Sequence, residues 1–136
     1  MLVVEATDFF INPKVTVIIQ NDIDPHPIPL DLTVHCKSKD DDLGFHTLAF
    51  AGTYSFRFRP LVFPSWAFTI FFCSFTWKGS PYLHYLDIYD EAMDNCKICG
   101  WKINKNGGCR LYKGSYKDCQ EWKSVQLMDG NSTSKM

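Results

Sequence analysis

The stretch HCKSKDDDLG, residues 35–44, marks the point where a strand pattern that carries a cysteine stops in a polar loop. Just before and into it, residues 31–37 (DLTVHCK) alternate apolar and polar side chains with a period of two, which is typical of a half-buried strand. Three aspartates follow, a residue type that is depleted in strands. We interpret Cys36 as a covalent anchor at the end of a strand, and Asp40, Asp41 and Asp42 as part of a solvated loop.

Working outward, similar short patterns recur about every ten residues, with turn residues between them. Residues 54–59 (YSFRFR) are the clearest half-buried strand, and residues 67–77, apolar on both faces, indicate a central strand covered on both sides. Asn106–Gly107 is a hairpin signal, because both residue types tolerate a positive φ. The predicted strands are residues 15–20, 31–37, 45–50, 54–59, 67–77, 82–89, 98–104 and 109–113.

No segment has a sustained helical period, although residues 89–95 could hold one helical turn. Short strands at this spacing are typical of an antiparallel sandwich or barrel. We therefore predict an all-β fold, a small antiparallel β-sandwich of about seven to eight strands, stapled by disulfides.

The length of 136 residues favours one domain. We expect residues 13–126 to form the sandwich and residues 127–136 to be a disordered polar tail. Residues 1–12 would be an N-terminal lead-in, for which the remnant of a signal region is one interpretation. No stretch approaches the roughly 20 apolar residues of a membrane span, so none is expected.

Six cysteines in so short a chain indicate an oxidising compartment and three disulfides, so we expect a secreted, extracellular protein. They are Cys36, Cys73, Cys96, Cys99, Cys109 and Cys119. The sequence-local pair Cys109 and Cys119 is the preferred bridge, and Cys36 and Cys73 would then bond to Cys96 and Cys99, in either order. A redox role for the Cys96-x-x-Cys99 motif would need a βαβ context, and a zinc site would need a second closely spaced pair.

The formal net charge of −1 gives no reason to expect nucleic acid or an anionic membrane as a partner. The charge is nevertheless uneven, because residues 96–123 contain seven Lys or Arg and two Asp or Glu. That asymmetry could steer a partner, but two differently solvated faces are the more common reason for such a pattern.

No residue pattern signals catalysis, a metal or a cofactor. The aspartate run lacks the alternate spacing and glycine of an EF-hand loop, and the four histidines are scattered along the chain. We therefore predict no catalytic, metal-binding or cofactor-binding residues and no enzymatic activity. Asn131-Ser132-Thr133 is a sequon for N-glycosylation, which makes Asn131 a candidate modification site.

Several segments together carry a family resemblance: VTVIIQNDI, DLTVHCKSKDDDLGFHTL, YSFRFRP, FTIFFCSFTW, YLDIYD and CKICGWKIN. In this order they resemble the plant self-incompatibility protein family, the S-protein homologues, over about residues 15–109. The resemblance implies a small, secreted plant β-sandwich with two disulfides, formed by Cys36, Cys73, Cys96 and Cys99. Cys109 and Cys119 are additional to that pattern.

The resemblance further implies a ligand, because a stigma-side member of the family acts on a pollen receptor. We expect a monomer that recognises a cell-surface protein receptor, in pollen–pistil or other cell–cell recognition. Loops on a rigid sandwich would make the contacts: residues 22–31, the aspartates Asp40, Asp41 and Asp42, and residues 89–95 with Asp90, Glu91 and Asp94. The alternatives are a secreted defence protein or enzyme of unassigned activity, and a stable secreted protein without a receptor.

Overall fold

The computed structural model describes residues 13–60 and 68–128. Within them ten strands follow one another: β1 (Val15–Asn21), β2 (Leu32–Lys37), β3 (Asp42–Leu48), β4 (Thr53–Phe58), β5 (Ile70–Trp77), β6 (Tyr82–Asp90), β7 (Ile98–Asn104), β8 (Gly107–Tyr112), β9 (Ser115–Glu121) and β10 (Ser124–Leu127). The residues predicted as a lead-in, 1–12, and the sequon at Asn131 lie outside the described part.

The strands form two five-stranded sheets. Sheet A has the order β4-β1-β7-β8-β9, and sheet B has the order β10-β6-β5-β2-β3. Neighbouring strands are antiparallel except β1 and β7, which run parallel. The prediction of an all-β fold stapled by disulfides is confirmed, but the described residues contain ten strands rather than seven or eight, and one strand pair is parallel rather than antiparallel. No helix in residues 13–60 and 68–128 is long and apolar enough to cross a membrane.

Alternation along the strands builds the core between the sheets. Val15, Val17 and Ile19 of β1 are fully buried, and in the pairing with β4 they lie opposite Phe58, Phe56 and Tyr54. The three aromatic side chains that the sequence placed on one face of residues 54–59 therefore pack inward.

Sheet B contributes Leu32, Val34 and Cys36 from β2. Trp101, 1 % exposed, lies in this core, and its indole Nε1 donates to the Ile88 carbonyl oxygen at 3.0 Å.

The strand at residues 70–77 differs from its prediction. Phe71, Cys73 and Phe75 are buried, but Ile70 and Phe72 are 40 % and 37 % exposed. Only the inward face of this half of β5 is covered, so the expectation of a strand buried on both faces is wrong there. The reason is that β5 belongs to one of two packed sheets, and within residues 13–60 and 68–128 no third layer covers its outer face.

Two of the three bridges differ from the predicted pairing. Cys36 bonds to Cys73 and Cys96 bonds to Cys99, whereas Cys109 and Cys119 pair as expected. Cys36 and Cys73 lie directly opposite each other on the adjacent antiparallel strands β2 and β5. Opposed residues bring their Cβ atoms close enough for a disulfide. Cys96, in the loop before β7, bonds to Cys99, the second residue of β7, so neither of these cysteines is available to Cys36.

The C-terminal part is more ordered than the sequence indicated. β9 and β10 are strands that were not predicted, and β10 pairs with β6 through Leu127. The Met128 amide then donates to the Pro81 carbonyl oxygen at 2.9 Å. Residues 127 and 128 therefore belong to the sheet rather than to a polar tail; the tail beyond them is outside the described residues.

Candidate functional site

The strand directions place two of the three predicted contact loops at the same end of the sandwich. Lys37, at the end of β2, pairs with Phe72 near the start of β5, and Ile70 pairs with Asp90 at the end of β6. The turn at residues 38–41 and the loop at residues 91–97 therefore lie at the same end of the strands of sheet B. We call this region, with the intervening residues 68 and 69, the acidic end.

The third predicted loop, residues 22–31, lies at the opposite end. Asn21, the last residue of β1, is fully buried, and its Nδ2 donates to the carbonyl oxygens of Leu30 at 2.8 Å and Leu48 at 3.0 Å. This amide ties the end of the loop to the end of β3. A single partner contacting one end of the sandwich would not reach both groups of loops.

The turn at residues 38–41 exposes its aspartates. The Ser38 amide donates to the Asp41 carbonyl oxygen at 2.8 Å, and the Asp41 amide donates to Ser38 Oγ at 3.1 Å. Both bonds use Ser38 and the backbone, so the exposed carboxylates of Asp40 and Asp41 are left pointing to solvent. These two groups are available to a partner without any change in the fold.

Asp42, in contrast, is bound to its own strand pair. Its Oδ1 accepts from the Gly44 amide at 3.0 Å and lies 2.6 Å from His35 Nε2. The Gly44 amide, followed by the His35 ring, lowers the pKa of the Asp42 carboxyl below its ordinary value. The His35 ring also packs on Phe45, with 4.0 Å between ring centroids. Asp42 therefore fastens the start of β3 to β2.

The acidic residues of the second loop are engaged inside the protein. Glu91 forms two hydrogen bonds with Thr69. The Glu91 amide donates to the Thr69 carbonyl oxygen at 2.9 Å, and Glu91 Oε1 accepts from the Thr69 amide at 2.8 Å. Asp94 Oδ2 accepts from the Asp90 amide at 2.7 Å, and the Asp94 amide donates to the Asp90 carbonyl oxygen, also at 2.7 Å. The latter bond closes the predicted helical turn.

One ion pair joins this loop to the other sheet. Arg110 of β8 donates from Nη2 to Asp94 Oδ1 at 2.6 Å, and its guanidinium carbon lies 4.9 Å from the Trp101 ring centroid. Beside the loop, burial raises the pKa of Tyr89 to about 12, and the nearby carboxylates of Glu91, Asp94 and Asp90 add to that effect. Asp94 therefore holds the loop in place.

A cleft of about 460 Å³ opens at the acidic end, between the turn at residues 38–41 and the ends of β4 and β5. Its lining combines charged groups from the turn with Arg59 and with apolar side chains such as Phe68 and Ile70. Exposed Phe68 and Ile70 were not predicted as site residues. Both lie in the segment 67–77, whose apolar pattern predicts burial on both faces, so the pattern does not indicate a surface position for either residue.

The described residues contain no group of three or more His, Cys, Asp or Glu side chains arranged to hold a metal ion. No histidine is among the described residues that line the cleft. What the acidic end offers is an exposed pair of carboxylates beside an apolar patch, on turns that the sandwich holds in place. That arrangement suits protein recognition.

Comparison with known proteins agrees with the resemblance found in the sequence. A family model described as "Plant self-incompatibility protein S1" matches residues 16–122. S-protein homolog 5 of Arabidopsis thaliana is 45 % identical over 94 residues, which cover 68 % of this chain and 68 % of that protein. S-protein homolog 4 of the same plant is 41 % identical over 99 residues, 67 % of this chain and 62 % of that protein. The chain thus spans about two thirds of the length of these relatives.

A solved structure confirms the fold. It is described as that of self-incompatibility protein homologues, "a widespread family of small, highly stable, secreted proteins from plants". It matches with a TM-score of 0.57 over 83 % of this chain and 97 % of its own, at 17 % identity. Secretion agrees with the three disulfides and with the absence of a free cysteine among the described residues. With the family model covering most of the chain, this protein belongs to the plant self-incompatibility S1 family, the small secreted S-protein homologues.

Proposed function

We propose that the protein is a secreted ligand that acts in cell–cell recognition, pollen–pistil recognition included, by binding a cell-surface protein receptor. The observation that carries the proposal is the acidic end, where Asp40 and Asp41 are exposed on a short turn beside Phe68 and Ile70. Interfaces commonly place an apolar centre within a polar rim, and charges at the rim mainly set the association rate and partner choice. We expect a receptor surface with basic side chains around an apolar spot.

The contact residues we propose are Asp40 and Asp41, with Asp42 and the residues of the second loop, Asp90, Glu91 and Asp94, shaping the surface around them. We propose that the protein acts as a monomer and has no enzymatic activity. No observation in the described residues favours the defence-protein or enzyme alternative.

The test is binding of the labelled, oxidised protein to intact plant cells, compared across pollen, stigma and vegetative cells. The double variant Asp40→Asn/Asp41→Asn should bind about tenfold more weakly to the responsive cell type, because it removes two charges at the contact. Far-ultraviolet circular dichroism and the thermal midpoint should stay unchanged, since these side chains make no hydrogen bond in the described part.

Asp22→Asn/Asp31→Asn is the matched control, because it removes two exposed carboxylates at the opposite end. Loss of binding in this control alone would move the contact to residues 22–31. Binding that is equal for all three proteins would exclude both aspartate clusters, and an absence of saturable binding on every cell type would overturn the ligand proposal.

A further inference from the structure

The outer face of sheet A is a second surface, separate from the acidic end. Since Val15, Val17 and Ile19 point into the core, the alternate positions of β1 face outward, with their partners on β4 and β7. Residues that pair directly across β4, β1 and β7 form a row on this face. Thr16 lies in one row with Arg57 and Ile98, and Gln20, four residues further along β1, lies in another with Thr53 and Lys102.

The charged residues on four of the five strands of this sheet are all basic. β1, β4, β7 and β8 contain no Asp or Glu, and the acidic residues of sheet A, Asp118 and Glu121, are both on the edge strand β9. Sheet B has the reverse balance, with Asp42, Asp87 and Asp90 against Lys37. The uneven charge along the chain thus becomes a difference between the two sheets.

The cations on this face are not neutralised by neighbours. We define the basic face by Arg57, Lys102 and Lys117; Lys117 is two residues from Cys119, which is aligned with Lys102 through Cys109 and so lies on the same face. None of them forms a salt bridge within residues 13–60 and 68–128, where Arg110 and Lys123 pair with Asp94 and Asp87. Lys102 Nζ lies 4.7 Å from the Tyr116 ring centroid, a contact that leaves its positive charge in place.

The face is also held rigidly. The Tyr116 side chain lies against Gly100, where a Cβ atom would come within 2.7 Å of the tyrosine Oη. The disulfide between Cys109 and Cys119 links β8 to β9 beside Lys102, which pairs with Cys109. A charged surface on a fixed scaffold loses little conformational entropy when it binds.

The spacing of the cations decides what kind of anion fits. The rows of Arg57 and Lys102 are four residues apart along β1 and two strands apart across the sheet. That corresponds to about 13 Å along the strands and about 10 Å across them. With both side chains extended away from the sheet, a polymer that carries repeated carboxylates spans this separation and contacts both cations at once.

We propose that the basic face binds an acidic polysaccharide that carries uronate carboxylates, and so retains this secreted protein in the extracellular matrix. The compartment argues for this polymer, because it lies outside the cell, whereas the anionic lipids that attract basic patches face the cytoplasm. The net charge of −1 gives no general attraction to polyanions, so binding has to come from this local arrangement. The proposal does not depend on a receptor.

The experiment measures retention of the oxidised full chain on immobilised polygalacturonate across a series of salt concentrations. We expect binding at low ionic strength that weakens steeply as salt screens the carboxylates. The triple variant Arg57→Gln/Lys102→Gln/Lys117→Gln should bind about tenfold more weakly. Fully methyl-esterified polygalacturonate, which has the same backbone without charges, should not retain the protein.

A matched variant, Lys37→Gln/Lys39→Gln/Lys78→Gln, removes three exposed cations from sheet B and its turns. It should bind like the unaltered protein. Equal loss in both triple variants would show that only total charge matters and would overturn the proposal. So would an absence of binding at low salt, or stronger binding to phosphatidylcholine vesicles containing phosphatidylserine, or to duplex DNA, than to polygalacturonate.

Discussion

Gly107 is a position where the backbone leaves no room for a side chain. It begins β8 with φ at 151°, and a Cβ atom there would lie 1.9 Å from the Gln120 carbonyl oxygen of β9. Replacing it with alanine adds backbone strain and a clash with main-chain atoms. We predict that Gly107→Ala lowers the free energy of unfolding by more than about 3 kcal/mol, measured by urea denaturation of the oxidised protein.

Gly79→Ala is the control for strain without a clash, because Gly79 has φ at 99° and open space around its Cβ position. It should cost about 1–2 kcal/mol. Equal losses in the two variants would contradict the role assigned to close approach of β9. The Asn106–Gly107 pair predicts a hairpin here, and β7 and β8 form one. The prediction was based on the tolerance of both residues for a positive φ, but of the two only Gly107 has a positive φ.

Asp42 makes the strand pair β2–β3 sensitive to acid. The pKa of its carboxyl is lowered from 3.8 when the protein folds, so its bonds stabilise the folded state above the unfolded pKa. That contribution is lost as the pH falls through the lowered value. We predict that the difference in denaturation midpoint between the unaltered protein and Asp42→Asn shrinks as the pH falls from 5 to below about 4.

The control for that measurement is Asp40→Asn, which removes an exposed negative charge with no side-chain hydrogen bond in the described residues. If the difference for Asp42→Asn did not change with pH, the carboxylate would not be the stabilising group. The bonds of Asp42 could not have been predicted, because its partner His35 comes close only when β2 and β3 pair.

Among the elements, the strands that the sequence predicted are those with one face in the core. β1, β2 and β4 follow from their alternation, and β7 was predicted with its observed bounds. β9 and β10 were missed because exposed edge strands have no apolar stripe to reveal them: SYKDCQE is mostly polar. Which strands become neighbours, and hence the bond between Cys36 and Cys73, depends on long-range packing that no local pattern encodes.

The loop after β6 shows the same limit for the candidate site. The sequence marked Asp90, Glu91 and Asp94 as acidic loop residues, and so as contact candidates alongside Asp40 and Asp41. The structure separates them, because the Asp94 side chain is 10 % exposed and paired with Arg110, whereas Asp40 and Asp41 face solvent. The positions of acidic residues in the sequence do not show which carboxylates stabilise a loop through internal hydrogen bonds and which are exposed and available to a partner.

We predict that Asp94→Asn lowers the free energy of unfolding by about 2 kcal/mol, since it weakens a mostly buried, charge-assisted hydrogen bond. Asp40→Asn should change it by less than about 0.5 kcal/mol. Chemical denaturation measures both. In a double-mutant cycle with Arg110→Gln, the effects should be strongly non-additive, and additive effects would show that the pair does not couple the loop to sheet A.

At the scale of the whole molecule, the three disulfides lie at three depths. Cys36 and Cys73 are both fully buried between the sheets, Cys99 is 4 % exposed beside a half-buried Cys96, and Cys119 is exposed on an edge strand. A thiol or phosphine must reach a sulfur atom to reduce the bond. The bridge between Cys109 and Cys119 is therefore the accessible one, and it closes a shorter loop than the bridge between Cys36 and Cys73.

We predict that a water-soluble phosphine at neutral pH reduces the bridge between Cys109 and Cys119 first, and that the sandwich then remains folded. The bridge between Cys36 and Cys73 should resist reduction until the protein unfolds, because both sulfur atoms are sealed in the core. Partial reduction, alkylation and peptide mapping give the order, and near-ultraviolet circular dichroism reports the fold.

Removing each bridge separately supplies the matching stability measurement. Cys109→Ser/Cys119→Ser should cost about 2–3 kcal/mol, and Cys36→Ala/Cys73→Ala about 4 kcal/mol or more, because the latter bridge closes the longer loop and fills space in the core. Reduction of the buried bridge before the exposed one, or a larger loss from removing the exposed bridge, would contradict this ordering. It would mean that the edge hairpin of β8 and β9, rather than the contact between β2 and β5, limits the stability of the whole sandwich.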